Sequence, residues 1–87
     1  MASVEIYTAD YCPYCYRAKA LLQQKNVAFT EFDVTADREG RAAMTQRAGG
    51  RTTVPQIFIN GQHVGGCDEL HLLEDEGKLD ALLNAGE

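Results

Sequence analysis

The run Val4-Glu5-Ile6-Tyr7-Thr8 alternates apolar and polar side chains and is rich in β-formers, which predicts a short strand. The period then changes. Ala18, Leu21 and Leu22 fall at i, i+3 and i+4, the spacing of a buried helix face, in a segment that reaches about Lys25 and ends at Asn26. A second strand is expected over Ala28–Val34, with Phe29 and Phe32 facing core layers. Ala42, Ala43 and Met44 support a helix over Ala36–Ala48, closed by Gly49-Gly50. The strongly apolar Val54–Ile59 predicts a strand, and Asn60-Gly61 turns it into a partner at Gln62–Val64, because Asn-Gly between apolar runs favours a tight hairpin. Gly65-Gly66 interrupts the chain, Cys67-Asp68 opens a helix through about Glu74, and Leu79–Leu83 forms a last short one.

The order is therefore βαβ, α, ββ, α. It predicts an α/β fold with a four-stranded mixed sheet and helices on both faces. The segment after the first strand then lies at the carboxyl end of the sheet, where ligand chemistry concentrates in α/β proteins.

Composition narrows the function classes. The 87 residues are 45% hydrophobic and 24% charged, which suits one domain, residues 1–87, with a single modest core. A net charge of −5 argues against nucleic acid as a partner, since phosphate binding needs a clustered basic surface. Arg38, Arg41, Arg47 and Arg51 do lie close together, leaving two readings: a local anion site or a solvated helix face. No basic-then-apolar leader pattern opens the chain, and no apolar run approaches the roughly 20 residues that span a bilayer. With 3 cysteines, too few and too odd a number for a disulfide scaffold, a cytoplasmic protein of a reducing compartment is expected.

The chemistry centres on Cys12-Pro13-Tyr14-Cys15. Pro13 suits the first turn of a helix, which puts Cys12 near the N-cap. Unpaired N–H groups and the helix dipole favour an anion there, and thiols in such motifs ionise well below the usual 8.5 or so. Cys12 is thus the expected nucleophile, and Cys15, inside the first turn and more buried, the expected resolving thiol. A zinc half-site, a structural disulfide and coincidence are the competing readings.

Two further motifs decide between them. With Thr53-Val54-Pro55 and Gly65-Gly66-Cys67-Asp68 in order behind it, the chain resembles a short bacterial-type dithiol glutaredoxin, of the thioredoxin-like superfamily, over essentially its whole length. The resemblance implies a cis Val54–Pro55 bond whose backbone pairs with glutathione like an added strand. It also implies that Gly66, Cys67 and Asp68 meet the γ-glutamyl end of glutathione, the helix N–H groups taking its carboxylate and Asp68 its ammonium. Tyr14 would form an amphipathic rim. Many family members carry a lysine where this chain has Ala9, and Arg41 is the expected replacement cation, with Lys19 a second one nearby. The implied activity is reduction of glutathionylated proteins through Cys12 alone and of protein disulfides through Cys12 and Cys15. Glutathione is the reductant, no group is permanently bound, the protein is a monomer, and ribonucleotide reductase is among the implied disulfide partners. The alternative is a metal-binding module, most sharply a glutathione-ligated iron–sulfur carrier. Cys12, Cys15, Cys67, His63 and His71 could nominally supply zinc ligands, but no second Cys-x-x-Cys or His pair completes a tetrahedral site, and the iron–sulfur variant would bridge a dimer through Cys12 and two glutathiones. Cys67 is expected to be an inert, partly buried thiol.

Overall fold

The computed structural model describes residues 3–84, and its first strand, β1 (Val4–Thr8), runs through the middle of the sheet. Around it come α1 (Pro13–Gln24), β2 (Thr30–Asp33), α2 (Arg38–Arg47), β3 (Gln56–Ile59), β4 (Gln62–Gly65), α3 (Cys67–Asp75) and α4 (Leu79–Asn84). The sheet order is β2-β1-β3-β4. β1 pairs in parallel with β2, while β1–β3 and β3–β4 are antiparallel. This is the expected four-stranded mixed sheet.

Alternation along the two central strands sorts the core into two layers. Ile6, Ile57 and Ile59 point to one face and pack with Ala18, Leu21 and Leu22 of α1, Leu70 of α3 and Leu79 and Leu83 of α4. Tyr7 and Phe58 point to the other face and meet Val34 and, on α2, Met44. Leu22, Met44, Ile57 and Leu70 are wholly buried. Each such side chain contributes about 1.5–3 kcal/mol relative to exposure, so both faces of the sheet are anchored to helices.

Boundaries differ from the sequence expectation where local chemistry intervenes. β2 is shorter than Ala28–Val34, and all of its residues are exposed. It is an edge strand with a single neighbour, so nothing buries its outer half. Phe32 is half-exposed and stacks on Tyr7 at 4.9 Å between ring centroids, while Phe29 packs on the first core layer. α2 starts later than expected because Asp37 caps it, its carboxylate accepting from the N–H of Gly40 at 2.9 Å. Ala42 and Ala43 turn out to be exposed; Met44 alone carries the buried face of that helix. β3 begins at Gln56 rather than Val54, since Pro55 has no N–H to give the ladder. Asn26 ends α1 with a φ of 59°. In the hairpin turn, Asn60 (φ 54°) and Gly61 (φ 79°) supply the positive pair that a type I′ turn requires.

Candidate active site

Register brings the site together. Tyr7 pairs with Gln56, so the chain leaving β1 and the chain entering β3 meet at the same end of the sheet. Leaving β1, the backbone passes buried Ala9, whose carbonyl accepts from the N–H of Cys12 at 3.3 Å, and starts α1. Cys12 is the N-cap, with extended φ and ψ of −109° and 105°, and Pro13 takes the first-turn position. The Sγ of Cys12 accepts from the N–H of Cys15 at 3.3 Å, which is one of the donors a helix start leaves unpaired. As a thiol, the same group donates to the carbonyl of Val54 at 3.5 Å. The Val54–Pro55 bond is cis.

Cys15 is more enclosed than Cys12, with 1% of its surface exposed against 7%. Burial, aided by its contact with Cys12, pushes the Cys15 thiol up to about 12. Both thiols are free in this structure. The pair is thus asymmetric, one sulfur at the helix mouth and one held protonated behind it.

Beside Cys12 lies a groove of about 160 Å³. Tyr14, Thr53, Val54, Pro55, Gly66, Cys67 and Asp68 line it, so each sequence motif contributes to one space, the first through Tyr14 rather than through its cysteines. Its walls nearly touch. A Cβ on Gly66 would lie 3.2 Å from the Pro55 carbonyl oxygen, which is why glycine stands there. Gly65 has a φ of 125°, and a Cβ on it would meet the Glu69 side chain at 2.9 Å.

Two lining residues were not picked out as site residues by the sequence, and one expected residue is elsewhere. Arg51 and Glu69 line the groove, their charged groups 3.6 Å apart. Glu69 also accepts from the N–H of Gly66 at 2.7 Å, which holds its carboxyl below the usual range. Its signal in the sequence is an acid three places after a helix start. Arg51 was visible only as one member of a basic run. Arg41 does not line the groove: its guanidinium donates to the Tyr11 hydroxyl at 3.3 Å and to the Thr52 carbonyl at 3.1 Å. The doubled glycine between Arg41 and Arg51, with φ values of 67° and 102°, turns the chain so that the later arginine enters instead. Lys19 lies on α1 in an ion pair with Glu31 at 2.9 Å, and Glu31 in turn accepts from Thr8 at 2.6 Å.

Cys67 is 6% exposed, and burial raises its thiol above the ordinary value. Its sulfur lies 3.4 Å from His71 Nδ1, which also sits 3.0 Å from the Cys67 carbonyl oxygen. His63 meets Gln56 at 2.7 Å. Gln56 is wholly buried and donates to the Thr53 carbonyl at 3.0 Å, which steadies the segment entering the groove. Among the described residues, no group of three or more His, Cys, Asp or Glu side chains is arranged to hold a metal ion, and no helix is long and apolar enough to cross a membrane.

The glutaredoxin family model matches residues 4–64, from β1 into β4 and including Cys12 and Cys15. The chain belongs to the glutaredoxin family. This glutaredoxin is 57% identical over 83 residues to Glutaredoxin 3 of Escherichia coli (strain K12), covering 95% of this chain and 99% of that one. It superposes on the solution structure of a glutaredoxin from Brucella melitensis with a TM-score of 0.86 at 59% identity, covering 100% of this chain and 94% of the other. The buckwheat glutaredoxin–glutathione complex also superposes with a TM-score of 0.86, at 32% identity and over 95% of this chain and 77% of that one. The thioredoxin-like fold expected from the sequence is thus the observed one. Family membership makes this glutaredoxin a thiol–disulfide oxidoreductase.

Proposed function

We propose that the chain is a glutathione-dependent oxidoreductase, working as one glutaredoxin domain, that attacks mixed disulfides with Cys12. The observation that carries the reading is the groove beside the Cys12 sulfur, shaped by Tyr14, the Thr53–Pro55 segment and the Gly66–Asp68 helix start. The thiolate of Cys12 bonds to the glutathione sulfur of a glutathionylated protein, the old S–S bond breaks, and the protein thiolate leaves with the electron pair. A second glutathione thiolate then attacks the Cys12–glutathione bond, releasing glutathione disulfide and restoring Cys12. For a protein disulfide, Cys15 attacks the Cys12 mixed disulfide, and two glutathiones reduce the resulting Cys12–Cys15 bridge.

The groove suits a tripeptide with charged ends. The Val54 backbone can pair with an extended peptide. The N–H groups of Cys67 and Asp68 at the start of α3 suit a carboxylate and Asp68 an ammonium, while Arg51, rather than Arg41, is the arginine that lines the groove. Glutathione is here a co-substrate rather than a bound cofactor. Glutathionylated and disulfide-bonded proteins, ribonucleotide reductase among the latter, are its expected clients in the cytoplasm.

Reduction of a small glutathione mixed disulfide, coupled to glutathione reductase and NADPH, tests this. Cys12→Ser should abolish turnover. Cys15→Ser should retain it but lose reduction of protein disulfides. Full activity in the Cys12 variant would overturn the assignment.

A further inference from the structure

Five large apolar or aromatic side chains are exposed among the described residues, and three of them are Tyr11, Tyr14 and Tyr16, at 66%, 53% and 57%. They bracket the thiols, one before Cys12, one between the cysteines and one after Cys15. Each ring has its own cation. Arg41 donates to the Tyr11 hydroxyl at 3.3 Å, the Arg17 guanidinium lies 5.9 Å from the Tyr14 ring centroid, and Lys19 lies 5.0 Å from that of Tyr16.

The protein carries a net charge of −5, and most of its cations are neutralised at home. Lys19 pairs with Glu31, Lys25 with Glu74 and Asp80, Arg47 with Glu5, Arg51 with Glu69, and Lys78 with Glu76. Arg17 and Arg41 meet no carboxylate within 4.0 Å among the described residues. Arg38, three residues before Arg41 on α2, is also without one and shares its helix face. Asp10, beside Tyr11, is exposed, and neighbouring Asp33 raises its carboxyl above the usual range. Arg17 and Arg41 are thus cations without an ion-pair partner among the described residues, each beside one of the tyrosines that bracket the thiols.

We propose that Tyr11, Tyr14 and Tyr16, with Arg17 and Arg41 behind them, dock the protein half of the substrate and favour cysteines flanked by Asp or Glu. The proposal rests on the glutathione-dependent reading above and names the substrate class for that site. Of the three tyrosines only Tyr14 lines the groove; Tyr11 and Tyr16 lie outside it, available to whatever the attacked disulfide joins to glutathione. Exposed tyrosine and arginine are the residues enriched where protein surfaces bind one another, because they offer broad contact at little entropic cost. Opposite charge on the partner then speeds encounter and rejects basic competitors.

Two peptides of equal length test it, each with one glutathionylated cysteine, flanked by Asp and Glu in one and by Lys in the other. Since both carry the same glutathione, the ratio of their kcat/KM values cancels the groove's contribution. The acidic peptide should win by about fivefold or more at low ionic strength and by less than about twofold near 0.5 M salt. Arg17→Gln with Arg41→Gln should bring the low-salt ratio towards one, and Arg17→Glu alone should lower it too. Equal rates in wild type, or an unchanged preference in these variants, would overturn the proposal. Failure of wild type on both peptides would instead overturn the glutathione-dependent reading.

Discussion

Cys15 offers the sharpest quantitative test of how the site divides labour between its sulfurs. Burial is the largest cause of its raised pKa, ahead of its contacts with Cys12, and together they move it from an ordinary 9.0 to about 12. At pH 8 a thiol of 9.0 is about one-tenth thiolate, whereas one near 12 is about one part in ten thousand, a deficit of roughly a thousandfold. Removing the other two cysteines as Cys12→Ser and Cys67→Ser leaves Cys15 as the single thiol and keeps the burial. Alkylation by iodoacetamide, followed by mass spectrometry from pH 6 to 10, should then climb about tenfold per pH unit without levelling off. The same variant in concentrated urea should level off near 9. Enclosure also slows the reagent, but it does so equally at each pH, so the position of the plateau is the readout. Coincident plateaus in the folded and unfolded protein would refute the reasoning. The sign carries into stability: the folded state binds the Cys15 proton more tightly, so stability is fully present below the unfolded pKa and is lost as pH rises from about 9 towards 12. In catalysis, the dithiol route should steepen with pH relative to the monothiol route, since only the former ionises Cys15.

Other consequences can be measured more briefly. Gly65→Ala places a Cβ 2.9 Å from Glu69 at a φ of 125°, whereas Gly77→Ala, at a φ of 73°, meets open space. Urea unfolding should show a loss of about 2–3 kcal/mol for the first and about 1 kcal/mol for the second. A larger loss for Gly77→Ala would contradict the packing account. The Lys19–Glu31 pair is partly exposed, so a double-mutant cycle with Lys19→Met and Glu31→Gln should give a coupling below about 1 kcal/mol. Hydrogen bonds from Thr8 and Lys19 hold the Glu31 carboxyl below its usual range, so that contribution is present above the unfolded pKa and is lost as pH falls through the folded one. A coupling that persists unchanged at pH 2 would contradict the assignment.

Periodicity carried most of the fold because the buried faces are long and regular, as at Ala18, Leu21 and Leu22 or Ile57, Phe58 and Ile59. It failed where burial is one-sided or absent. Nothing in Ala28–Val34 announced that β2 would be an edge strand without a buried residue. The thiols and the two segments that line the groove were legible because proline, glycine and cysteine each have a narrow physical use. Arg41 and Arg51 were not separable, since a long cation's destination depends on the turn between them, and two left-handed glycines there set a direction that charge patterning does not encode. Asp37 and Glu69 escaped notice for a related reason: each acts on a backbone N–H three residues away, and an acid near a helix start reads as ordinary surface.

The β3–β4 hairpin works as a caliper. Its two open ends carry the two jaws, Thr53–Pro55 leading in and Gly66–Asp68 leading out, while its hinge, Asn60-Gly61, sits at the far end of the sheet beside Ser3. The two jaws leave neighbouring bonded strands, which in a sheet lie about 4.8 Å apart, and the register between these strands is irregular at Ile57/Phe58. The aperture is therefore set by backbone pairing and is insulated from the hinge. An insertion at Asn60-Gly61, or a reporter attached there, is therefore expected to leave the lining of the groove unchanged.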